Sequence, residues 1–165
     1  MPLVLDSSAL ITLAGADALG LLRLSPHKAC TVGEVYREAV EWGREKGRPD
    51  ALLIGRLFER GIVTIQDPRR RERLPGISQT DSLVIHLAEE ARAALCLMND
   101  QELRDRAVRR GLPARYTAEF VNELYVTGNI SQTRRDALLQ AFLANRRYTE
   151  HFLQSLFSGG GPWKQ

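Results

Sequence analysis

No uninterrupted apolar stretch in these 165 residues is long enough to span a bilayer. The opening Met-Pro-Leu-Val-Leu-Asp lacks the charged start and long apolar middle of a signal peptide, so a cytoplasmic chain without membrane contact is expected. Cysteine is scarce. Cys30 and Cys96 both fall in apolar strand-like runs, and they read as buried thiols rather than as a disulfide or a metal pair. His27, His86 and His151 are isolated from one another, which argues against a histidine ligand set or base. Ser7 and Ser8 have no matching His/Asp arrangement for nucleophilic catalysis. Neither a G-x-x-x-x-G-K-[ST] loop nor a G-x-G-x-x-G turn is present, which argues against nucleotide-cofactor enzymes of those types.

What remains is a chain of ordinary hydrophobicity. Its 44% apolar residues suffice for one core, and its length suits one domain or one domain with an appendage. A net charge of +3 and a pI near 9.1 permit nucleic acid as a partner without establishing it.

Strand-like and helix-like runs alternate. Residues 2–5, 28–32, 62–65, 94–98 and 112–116 read as strands, the fourth an almost wholly apolar run of the kind a doubly covered parallel strand shows. Helical spacing marks 7–13, 19–24, 33–46, 49–61, 78–92 and 100–110. Residues 67–76 read as a basic loop. Two further helices, 117–127 and 131–145, are joined at Gly128-Asn129, and the second is expected to run on toward Phe157. The pattern gives an α/β fold: a three-layer α/β/α sandwich with a mostly parallel, four- to five-stranded sheet plus a C-terminal helical hairpin. The expected division is 1–116 for the main domain, 117–157 for a helical extension packed on it and 158–165 for a disordered tail.

Four acids sit where apolar runs give way to polar segments: Asp6, Glu38, Asp81 and Asp100. Singly, each has an ordinary explanation. Asp6 could cap a helix, although Ser7 or Ser8 could do so instead. Ser78-Gln79-Thr80-Asp81 has the form of a capping box. Asp100 could be a cap with Asn99 as its rival. Glu38 sits mid-helix among Glu34, Arg37 and Glu41 and reads alone as a solvated charge. Together they are placed on one sheet edge by strand counting, where carboxylates converge in the crevice of an open parallel sheet. Converging carboxylates without a neutralising partner call for a divalent cation. Basic residues flank them: Arg69, Arg70, Arg71 and Arg73 before Asp81, and Arg104, Arg106, Arg109 and Arg110 after Asp100. These are either solvated charges or phosphate contacts.

The ordered set resembles the PIN-domain family. The likeness rests on Val4-Leu5-Asp6-Ser7-Ser8-Ala9-Leu10, Thr31-Val32-Gly33-Glu34-Val35-Tyr36-Arg37-Glu38, Ser78-Gln79-Thr80-Asp81-Ser82-Leu83-Val84-Ile85 and Met98-Asn99-Asp100-Gln101-Glu102-Leu103-Arg104. It covers roughly the first three quarters of the chain, and the region from Thr117 to Asn145 resembles the helical extension of one bacterial branch. The resemblance implies a Mg²⁺- or Mn²⁺-dependent endoribonuclease of the VapC-type toxin kind. Asp6, Glu38, Asp81 and Asp100 would be its metal-binding catalytic quartet, and Ser7, Asn99, Arg70, Arg71 and Arg104 its substrate contacts. RNA, a small antitoxin and a second copy of the chain are the implied partners. Two departures stand out. Met98 occupies a position that carries threonine or serine in many relatives, with Asn99 as a possible substitute. Glu34 competes with Glu38, which fits the family spacing better. The alternative is a degenerate relative that binds RNA or protein without cutting. A haloacid-dehalogenase-like phosphatase lacks support because Asp6-Ser7-Ser8 has no second acid. A response-regulator scaffold would want paired acids and a later lysine, neither of which is evident.

Overall fold

In the computed structural model, residues 1–157 are described; the expected tail at 158–165 lies outside the described residues. Five strands form one parallel sheet in the order β3-β2-β1-β4-β5. They are β1 (Leu3–Leu5), β2 (Ala29–Thr31), β3 (Val63–Ile65), β4 (Leu95–Leu97) and β5 (Ala114–Arg115). The strands are shorter than the apolar runs that announce them. Three central ones are buried at every position, as parallel strands covered on both faces should be. Fully burying side chains such as Leu3, Val4 and Leu5 stabilises by about 1.5–3 kcal/mol each, enough to fix so short a strand and the residue that follows it. Cys30 and Cys96 lie on either side of Val4 in the ladder. Both are free and buried, and burial pushes their thiols up to about 11 and about 12.

The helices are α1 (Ser7–Gly15), α2 (residues 33–45), α3 (Pro49–Glu59), α4 (Gln79–Glu90), α5 (Gln101–Arg109), α6 (Thr117–Val126), α7 (Gln132–Ala144) and α8 (Glu150–Leu156). The apolar patch at Leu19–Leu24 is a 3₁₀ segment. Helix α1 packs on α2, α3, α6 and α7, while α4 lies against β1 and α5 against β5. Within α2, residues Arg37–Glu41 form a π-helical turn. The last helix differs from expectation. Helix α7 stops at Ala144 because Arg146 adopts a left-handed conformation (φ 56°), and Thr149 then caps the separate α8. Phe120, Leu139, Phe142, Leu153 and Phe157 belong to the same core cluster as the sheet residues, so the C-terminal helices share the main core. Among the described residues no helix is long and apolar enough to cross a membrane.

The chain leaves β1 for β2 and β3 on one side of the sheet and returns for β4 and β5 on the other. The order therefore reverses between β1 and β4. A crevice opens outside the carboxyl ends of the strands at such a reversal. Asp6 follows β1 directly and Asp100 follows β4 closely, and the Asp6 N–H donates to the Leu97 carbonyl at 3.2 Å across that point.

Candidate active site

Asp6 is only 4% exposed. Its carboxylate accepts from the Ala9 N–H (2.7 Å) and from the Ser8 hydroxyl (2.8 and 2.7 Å to its two oxygens). Asp6 itself caps α1, so the serines are not the cap; Ser8, rather than Ser7, is the hydroxyl at the acid. Burial pushes the Asp6 carboxyl up to about 7, the Ala9 and Ser8 hydrogen bonds oppose this, and the charges of Asp81 and Asp100 add to the rise. The Asp81 carboxyl is also raised, first by burial and then by Asp100 and Glu38, against hydrogen bonds from Ser78. These mutual influences tie the four sequence-predicted acids into one electrostatic group. Every charged neighbour that shifts Asp6 or Asp81 is another carboxylate.

Helix capping and site building coincide here. Ser78 caps α4 and accepts from the Asp81 N–H at 3.0 Å. Asp100, not Asn99, caps α5 and accepts from the Leu103 N–H at 2.8 Å. Helix N-termini point at this edge of the sheet, and their free N–H groups favour negative charge. Glu38 sits on the π turn of α2 and accepts from the Thr80 hydroxyl at 2.6 Å. Its rival Glu34 is instead paired with Arg71 at 3.4 Å. Asp6 and Asp100 thus accept from the helices they cap, and Glu38 accepts from the start of α4. Among the described residues no three His, Cys, Asp or Glu side chains converge into a ready-made metal cage. Like charges without a counter-ion are expected to stay apart in this way.

The remaining predicted contacts are largely committed elsewhere. The Asn99 amide donates to Thr12 Oγ1 (2.6 Å), and its oxygen accepts from the Thr117 N–H (2.9 Å) and the Tyr148 hydroxyl (2.6 Å). Its backbone N–H donates to Ser8 Oγ at 3.1 Å. Asn99 is therefore a junction between α1, α6 and the turn before α8, and Met98 is fully buried in the core. Arg70 pairs with Glu89 (2.6 Å) and Glu90 (3.4 Å), and the Arg69 and Arg70 N–H groups also donate to Glu90. This clamps the basic loop onto α4 instead of leaving Arg70 free for phosphate. Arg104 pairs with Asp105 (3.2 Å) and lies over the Tyr116 ring at 5.1 Å. Three residues escaped the sequence reading. Ser8 and Thr80 supply the site's hydroxyls, and Asp67, two residues past β3, is a further edge acid that accepts from the Gly33 N–H at 2.9 Å. Only the strand-end position of Asp67 offered a signal.

A family profile described as DUF3368, a PIN domain, matches residues 2–157. The chain belongs to the PIN-domain family. Members of this family are generally nucleases, and the acidic strand edge is where such a domain would work. Among solved structures, this PIN domain is similar to a PilT N-terminus domain protein from the hyperthermophilic archaeon Sulfolobus solfataricus P2. The TM-score is 0.52 at 21% identity, covering 72% of this chain and 89% of that one. At that identity the likeness speaks for the fold. No curated protein matches the chain.

Proposed function

We propose that this PIN domain is a divalent-metal-dependent endoribonuclease that hydrolyses phosphodiester bonds at the edge formed by Asp6, Glu38, Asp81 and Asp100. One observation carries the reading: a buried carboxylate, Asp6, whose charged neighbours are themselves carboxylates. The donor set fits Mg²⁺ or Mn²⁺, because it is all oxygen and holds no histidine or thiolate. Asp6, Asp81 and Asp100 would hold the ion, with Glu38 as a further ligand, direct or through water. When bound, such an ion supplies Lewis acidity and lowers the pKa of an attacking water.

The chain's own residues do the rest. Ser8 and the Ala9 N–H fix the Asp6 carboxylate, and Thr80 fixes Glu38. The N-termini of α1 and α5 keep Asp6 and Asp100 anchored at the mouth of the crevice. Exposed Arg71, whose side chain reaches Glu34 in the first turn of α2 and whose carbonyl accepts from Gln79 at the start of α4, suits the RNA backbone. The likeness to VapC-type proteins supports a finer reading as the toxin of a toxin–antitoxin pair, acting as a homodimer with a small antitoxin. Exposed Trp42 and Leu52 offer apolar surface for such a partner.

The test is cleavage of a mixed-sequence single-stranded RNA with Mg²⁺, Mn²⁺ or EDTA, beside Asp6→Asn. Cutting that requires metal and disappears in the variant is expected. Folded wild-type protein that binds RNA but never cuts would instead favour the non-catalytic alternative, for which Met98 in place of a hydroxyl residue speaks.

A further inference from the structure

Beside Asp100 lies a recess of about 230 Å³ that neither the acids nor the core account for. Asn99 and Gln101, the residues on either side of Asp100, line it together with Tyr116, Tyr148, Phe152 and Arg147. The rings pack on one another. Tyr148 and Phe152 stack in parallel with centroids 5.9 Å apart, and Phe152 meets Tyr116 edge-to-face at 5.1 Å. The Tyr148 hydroxyl donates to Asn99 and accepts from the Ala118 N–H, which links this ring to the acid edge. Phe152 remains partly exposed, Gln101 is exposed with an amide able to donate and accept, and exposed Arg147 makes no ion pair with any described residue.

We propose that this recess takes a single nucleobase of the RNA strand, the base beside the phosphodiester presented to the acids. The proposal deepens the nuclease reading and rests on it for the identity of the strand. The recess is too small for a folded partner segment, and its chemistry is that of single-strand recognition: an aromatic wall for the base, an unpaired guanidinium for the adjoining phosphate and an amide for the base edge. It also gives the C-terminal extension a task. Helix α8 and the turn before it supply Arg147, Tyr148 and Phe152, so the strand-end acids alone would lack this contact.

The experiment measures binding by fluorescence anisotropy in EDTA. Two probes are compared: a short single-stranded RNA and a chain of equal length in which every base is missing. Wild-type protein is expected to prefer the base-bearing probe by about tenfold or more, and Phe152→Ala to lose most of that preference. Arg147→Gln is expected to weaken both probes alike, because it touches phosphate. If Phe152→Ala does not fold, as judged by circular dichroism, Phe152→Leu carries the same comparison with the apolar volume retained. Equal affinity of wild type for both probes overturns the proposal, and so does an unchanged preference in the Phe152 variant. Cleavage in Mn²⁺ is read in parallel. Cutting without base preference removes the recess and leaves the nuclease reading standing. Base preference that depends on Phe152 without any cutting keeps the recess and removes the nuclease reading.

Discussion

Asp6 concentrates the conflict on which the site is built. Its carboxyl is pushed from 3.8 up to about 7 by burial, so between those values the folded chain holds a proton that the unfolded chain has released. Stability of the metal-free protein therefore falls as pH rises through that window. The loss attributable to Asp6 is on the order of 4 kcal/mol. Asp6→Asn retains an acceptor for the Ala9 N–H and cannot ionise. In thermal melts with EDTA, the variant is expected to melt higher than wild type above pH 7 and close to it in acid; equal pH slopes would contradict the burial argument. Thr80→Val removes the donor to Glu38. Cleavage is expected to fall by about 10–100-fold, as when an outer partner of a metal-site carboxylate is lost, with about 0.5–1.5 kcal/mol lost in a denaturant titration. At this scale the sequence showed the acids, because each follows a hydrophobic lead-in. It did not show their supports. Thr80 reaches Glu38 across 42 residues, and Ser8 reaches Asn99 across 91. Long-range pairings of that kind leave no local pattern, which is why the partners of Asn99 and Arg70 were not legible in the sequence.

Elements were legible where periodicity speaks and illegible where the backbone departs from it. The apolar runs located all five strands, and Pro49 opens α3 as a proline in the first helical turn should. The π turn at Arg37–Glu41 has no such signal, yet Glu38 sits on it, and π turns recur at functional positions. Helices α2 and α3 approach closely at Gly43, where an added Cβ would stand 2.7 Å from the Ala51 Cβ. Gly43→Ala is expected to cost about 1–3 kcal/mol through that clash, measured by chemical denaturation, despite the better helix propensity of alanine. The break between α7 and α8 was missed because an arginine, not a glycine, takes the left-handed position. Arg146→Gly should relieve that strain and stabilise by up to about 1 kcal/mol; a lower melting temperature would contradict it.

Across the whole molecule, the reversal of strand order between β1 and β4 decides where chemistry is possible. It brings residues far apart in sequence to one edge, and the alternation of strands and helices made the α/β sandwich readable in advance. What alternation could not convey is how the extension joins in. Tyr148 ties α8 to Asn99 and so to the acid edge, and the C-terminal helices share the main core. The central claim is that this edge is a cation site completed on binding. Isothermal titration calorimetry of Mn²⁺ into purified wild type and Asp6→Asn tests it most directly. Saturable binding by wild type that is lost or strongly weakened in the variant is the expected result. Wild type that binds no cation, or a variant that binds as tightly, would contradict it.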